Sequence, residues 1–284
     1  MDSGGGSGAS VTQVGELLQS RDLFSQLRAW QNEPVEIAEY ELMDAAEDGM
    51  WWYRALHAHA IAALTTADAP PLRDSGCAPL LDAGCGTGGF LARLHRARPG
   101  IAAAGVEYFP GAAARAQAKA GLPVAVGTVN ALPFADASFG AVTSLDVLSH
   151  AAVQPAQALA EAARVLVPGG VLVVNLPAFD WLSSAHDIRV QNARRFTRAG
   201  ARALLAGAGF TDVRICYWNA LLLPLMVAQR KVMARAPDHG SDVAPFPPWL
   251  NRTLHAITAL ERRLMATGLA FPAGGSVLAT GIRP

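Results

Sequence analysis

The chain is poor in cysteine: Cys77, Cys85 and Cys216 are the only three in 284 residues. They are too scattered for a zinc pattern and too few for a disulfide framework, so a reducing, cytoplasmic setting is expected. Charge is also scarce, at 16% of residues, and 23 basic side chains balance 23 acidic ones. No basic footprint for nucleic acid and no acidic tail results. No apolar run approaches the roughly 20 residues that a membrane-spanning helix needs. Residues 220–228, the longest aliphatic stretch near the end, are interrupted by Pro224 and read as a buried or covering segment. Residues 1–10, MDSGGGSGAS, have neither a basic start nor an apolar core, which reads as a disordered tail and not a signal peptide. What remains is a chain of 51% hydrophobic residues, long enough for one large core with additions. Its balanced charge suits a small acceptor of neutral or mixed polarity.

What is present is glycine in a particular arrangement. Residues 79–91, PLLDAGCGTGGFL, read as a short buried strand, a glycine loop and the start of a helix. Gly84, Gly86 and Gly88 let the backbone turn sharply and approach a ligand that a Cβ would hold away. Spacing alone leaves the ligand open, because Gly84, Gly86 and Gly89 also satisfy the dinucleotide pattern G-x-G-x-x-G. Two details favour another nucleoside: Asp82 just before the loop, and the downstream segment 129–139, VNALPFADASF.

Together these segments resemble the class I S-adenosylmethionine-dependent methyltransferases, in particular bacterial small-molecule enzymes with a methyltransferase-11/25-like core. The resemblance spans residues 80–174. It implies that Asp82, Gly84, Gly86 and Gly88 hold the methionine half of S-adenosylmethionine, and that the second segment touches adenine. Glu107 closes the second strand about 20 residues beyond the loop, where a carboxylate can accept from both ribose hydroxyls. Tyr108 beside it either flanks the adenine or fills core. Asn130 stands where the family usually has an acid. Its amide carbonyl would accept from the adenine amine, and the Ala131 N–H would donate to a ring nitrogen. Asp146 and His150, four apart after the fourth strand, would face the methionine half across a first helical turn. The segment EDGMWWYR, residues 47–54, is similar to one found in many bacterial members. Arg54 there could grip the cofactor carboxylate with a two-pronged bond, or could simply be solvated.

The expected architecture is an α/β, Rossmann-like seven-stranded sheet with helices on both faces. The division expected is a tail at 1–10, an N-terminal helical lid at 11–66, the cofactor-binding core at 79–218, a helical cap at 219–272 and the last strand of the core at 273–284. The two final strands form an antiparallel edge by family analogy.

Acid–base candidates belong to the loop after strand five, NLPAFDWLSSAHDIR at 175–189. His186, with an unperturbed pKa of about 6.5, ranks first as base. Asp187 could orient a histidine or pair with Arg189, Arg194 or Arg195, and His150 is a third catalytic candidate. No metal is required. The apolar cap, with Leu221, Leu225, Phe246 and Trp249, favours a hydrophobic acceptor or a subunit interface such as a homodimer. The expected activity is methyl transfer to a small, hydrophobic or aromatic natural product of specialised metabolism, by carbon methylation of an indole or by O- or N-methylation. Rival readings are a nicotinamide-dependent oxidoreductase using the same loop and a cofactor-binding protein without catalysis.

Overall fold

The computed structural model describes residues 34–67, 69, 78–183, 187, 191–233 and 246–284. In chain order the elements are α1 (Pro34–Ala46), α2 (Trp51–Thr66), β1 (Leu80–Ala83), α3 (Gly89–Ala97), β2 (Ala103–Glu107), α4 (Pro110–Ala120) and β3 (Val124–Val126). There follow β4 (Phe139–Leu145), α5 (Pro155–Val165), β5 (Leu166–Pro177), α6 (Arg198–Gly207), β6 (Thr211–Trp218), α7 (Leu223–Met233), α8 (Pro248–Ala266) and β7 (Ser276–Ile282).

The seven strands form one sheet in the order β3-β2-β1-β4-β5-β7-β6. β1 pairs in parallel with both β2 and β4, so chain order reverses between β1 and β4. Crossover connections leave a crevice at such a switch point, outside the carboxyl ends of the strands. β7 enters antiparallel between β5 and β6.

Both faces of the sheet are covered, and the short strands read as nearly continuous apolar runs for that reason. One core layer holds Leu81, Val106, Phe139, Leu172 and Leu205 under α5 and α6. The other holds Leu80, Leu91, Ala116, Val173 and Trp218 under α2, α3 and α4. Local chemistry sets the helix ends. Pro110 opens α4, and Gly121 closes it in the left-handed region at φ 65°. The Thr197 hydroxyl accepts the Gly200 N–H at 3.1 Å at the start of α6, as an N-cap should.

Two boundaries differ from the sequence expectation, which runs the helix before strand five from Pro155 to Val167 and starts the cap helix at Asn219. The helix before strand five ends at Val165, and residues 166–170 already belong to β5. Gly169 and Gly170 exchange backbone bonds with Arg283, so the final strand draws the P-G-G turn into the sheet. The helix expected from residue 219 begins at Leu223, after a turn.

Candidate active site

The glycine loop is pinned to β2: the Gly84 and Cys85 N–H groups both donate to the Val106 carbonyl, at 2.8 and 3.0 Å. Gly88 lies at φ 90°, and a Cβ there would stand 2.7 Å from the Ala116 Cα, so its absence lets the start of α3 pack on α4. Gly86 lies at φ 55°, and a Cβ there would meet the Met43 Cε at 2.8 Å. Helix α1 therefore lies directly over the loop.

Glu107, 4% exposed, gathers this region. It accepts the Tyr40 hydroxyl at 2.8 Å, the Gly86 N–H at 2.9 Å and the Phe109 N–H at 3.0 Å. The Tyr40 ring stacks on Phe109 with centroids 5.3 Å apart. Glu47, between α1 and α2, accepts from the Thr87 hydroxyl and the Lys119 ammonium, and also takes the Gly89 N–H at the start of α3. Burial raises its carboxyl above the usual range. Lys119 also pairs with Asp44, and Arg115 pairs with Glu41 at 3.2 Å and Asp44 at 3.6 Å. These contacts fasten α1 to α4.

Two carboxyls at strand ends are held close to neutrality. Asp82 is pushed up to about 7 by burial and by the nearby carboxylates Glu107 and Glu47, against a 2.7 Å bond from the Thr143 hydroxyl. Asp146, in the left-handed region at φ 61°, is pushed up to about 6 by burial, with the Asn175 amide and the Arg195 charge pulling the other way. Asn175 donates to Asp146 at 2.7 Å and accepts the Trp218 indole N–H at 2.8 Å, a polar chain across β4, β5 and β6.

Several sequence expectations meet different neighbours. No helical turn follows Asp146: residues 147–151 form an irregular turn. His150 Nδ1 there accepts the Ala152 N–H at 3.3 Å. Asp187 is held by Arg195 through two bonds of 2.7 and 2.8 Å, so its oxygens are committed to an ion pair, one of the two roles expected for it. The Asn130 carbonyl accepts the Gln154 N–H at 2.9 Å and its amide donates to Ala152, tying two loops together. The Ala131 N–H is turned to Thr128 at 3.2 Å. Tyr108 is 41% exposed. Arg54 is half-buried on the outer side of α2, where Arg93 and His255 feel its charge. His186 lies outside the described residues.

Sequence reasoning missed Tyr40, Met43, Lys119 and Asn175. No local pattern marks them, since each reaches its partner across dozens of residues. Glu47 did stand in the EDGMWWYR segment, and a carboxylate just before a helix was its available signal.

Residues 81–174 match the methyltransferase domain family. A curated relative, an uncharacterised 37.1 kDa protein from a transposon of Streptomyces fradiae, is 39% identical over 124 residues. That match covers 42% of this chain and 35% of the relative, so the chain spans about a third of that protein's length. Among solved structures, a Thermotoga maritima S-adenosylmethionine-dependent methyltransferase superposes with a TM-score of 0.55 at 21% identity, covering 87% of this chain and 96% of that one. The protein solved in complex with the Haloferax volcanii Trm112 methyltransferase activator gives 0.53 at 21% identity, covering 94% and 100%. A geranyl diphosphate C-methyltransferase from Streptomyces coelicolor gives 0.50 at 17% identity, covering 78% and 76%. At these identities the structures speak for the fold. Residues 81–174 thus match the methyltransferase domain model, and the sheet they help to build has the fold of S-adenosylmethionine-dependent methyltransferases.

Proposed function

We propose that this chain transfers the methyl group of S-adenosylmethionine to a small acceptor with an apolar or aromatic body. One observation carries the reading: at the switch point the backbone of Gly86 and the carboxylate of Glu107 are joined in a single 2.9 Å bond. A carboxylate offers about four lone-pair sites, and Glu107 has three donors. Two ribose hydroxyls need two sites, so the Tyr40 phenol, the only side chain among the three donors, has to yield.

S-adenosylmethionine supplies a methyl group already activated by its sulfonium. The chain is left to bind, orient and exclude water. Asp82, Glu47, Glu107 and Asp146 surround the loop with carboxyl groups, which suits a cation. The same set weighs against the nicotinamide alternative. The Glu47 carboxylate already fills the anion position at the first N–H of α3, where a dinucleotide places its diphosphate.

On the acceptor side, Trp181, 61% exposed, stacks on Phe179 at 5.6 Å, and Phe179 stacks on Tyr217 at 5.0 Å. This row supports a planar acceptor such as an indole or phenol. Asp146, half-buried and held by Asn175, is the proton acceptor that the geometry favours, while His186 stays a candidate by sequence. The low cysteine count supports a cytoplasmic setting, and the aromatic row supports a role in specialised metabolism. Exposed Leu221, Leu225 and Trp249 support pairing of two copies through the cap.

Calorimetry with S-adenosylmethionine, its demethylated product and NAD tests the cofactor, and mass spectrometry of indole and phenol panels tests the acceptor. Binding of the first two but not NAD, with a methylated product, is expected. Tight NAD binding overturns the reading, and cofactor binding with no methylated product supports the non-catalytic alternative.

A further inference from the structure

A second charged feature lies on the outer layer formed by α2, α3 and α8. Helix α8 runs beside α2: Asn251 at its start accepts the Trp51 N–H at 2.7 Å and donates to the Gly49 carbonyl at 2.8 Å. Trp52 and His59 of α2 turn inward onto Trp218, at 4.9 and 4.6 Å. The outward stripe of α2, with Arg54, Ala58, Ile61 and Ala62 at helical spacing, is half-buried. Phe90 of α3 lies 5.7 Å from the ring of His57, which sets Arg93 one turn further along the flanking helix. His255 and Arg262 lie seven apart on α8, two turns along the same side.

Arg54, Arg93, His255 and Arg262 thus come together from three helices. Arg93 is held below its usual range by burial and by Arg54, Arg96 and Arg262, and His255 by burial and by Arg54, Arg262 and Arg93. Asp48 is the carboxylate that acts on Arg93, and it is paired with Arg96 at 3.2 Å. Among the described residues, none of these four side chains makes an ion pair with a carboxylate. Arg262 Nη1 and His255 Nδ1 are buried with no hydrogen-bond partner. Like charges gathered in a partly desolvated groove, with orphaned nitrogens, call for a counter-ion.

We propose that the groove between α3 and α8 binds a multiply charged oxyanion, a phosphomonoester or diphosphate group. Three guanidinium groups carry three permanent charges, so a single carboxylate would leave most of them unmatched. A phosphate or diphosphate matches them and accepts their paired N–H forks. The four side chains belong to α2, α3 and α8 and not to the glycine loop, so the inference stands apart from the methyl-transfer reading.

Thermal unfolding in chloride buffer of low ionic strength, with inorganic phosphate or pyrophosphate added, tests it on the full chain. The comparison protein carries Arg93→Gln and Arg262→Gln and leaves Arg54 in place. Pyrophosphate at millimolar concentration is expected to raise the Tm of the parent and to raise it more than phosphate does. The double variant should respond about tenfold more weakly in midpoint concentration. It should also melt higher than the parent without anion, because repulsion is relieved. Titration with S-adenosylmethionine should be unchanged. Should the double variant fail to fold, the single Arg93→Gln protein and phosphorus NMR line broadening of pyrophosphate give the same comparison. An equal response in parent and variant, no response at all, or binding seen only on vesicles containing phosphatidylglycerol overturns the proposal.

Discussion

At the scale of single residues, Gly86 sets how close a ligand can come to the loop. Gly86→Ala places a side chain at φ 55°, against Met43 and where the cofactor backbone would lie, so cofactor affinity should fall more than about tenfold in calorimetry. Unchanged affinity would remove the loop from the site. Tyr40 makes the opposite prediction. Tyr40→Phe removes the donor that competes for Glu107, and cofactor binding should tighten roughly fivefold. Weaker binding would make the phenol a ligand and not a competitor. Asp82 adds a pH test. Its folded value, about 7, lies above the ordinary 3.8 of a free aspartate, so the stability linked to its proton is present below 3.8 and lost as pH rises through 7. Asp82→Asn should therefore gain more stability over the parent at pH 8 than at pH 5 in urea unfolding. Equal differences at both values would contradict the buried, uncharged carboxyl.

At the scale of elements, α2 carries two buried histidines, His57 and His59, each pushed down to about 3, chiefly by burial. The native form refuses a proton that the unfolded chain accepts below about 6.5, so their contribution falls as pH drops through that value, by roughly 2 kcal/mol each at pH 5. Urea unfolding of His59→Phe should show a shallower acid decline than the parent, and an identical slope would sink the assignment. Glu261 of α8, fully buried, accepts the Ala220 and Leu221 N–H groups, both at 2.8 Å, and holds the cap to the end of β6. Glu261→Ala should cost about 2 kcal/mol, read by the denaturation midpoint. The end of β6 was legible in sequence, because the core was expected to stop at 218, where the strand ends and the cap begins. The position of α1 was not. Its contacts run from Tyr40 to Glu107 and from Asp44 to Lys119, and no local period reports a partner so far along the chain.

At the scale of the whole molecule, the switch point was legible because it rests on two motifs in order, whereas the polar chain from Asp146 through Asn175 to Trp218 was not. Those three residues lie at or near the carboxyl ends of β4, β5 and β6, and only the sheet order β4-β5-β7-β6 brings them together. The antiparallel β7 does the same for the chain's last residues, which fold back beside β5. The covering of the crevice by α1 has its own consequence. If α1 has to lift for a spent cofactor to leave, Lys119 would let go of Asp44 and Glu47 and Arg115 of Glu41. Sodium chloride screens the exposed members of that set. Turnover would then be timed by a door whose latch is ionic, and stopped-flow release of the demethylated product should quicken as sodium chloride is raised.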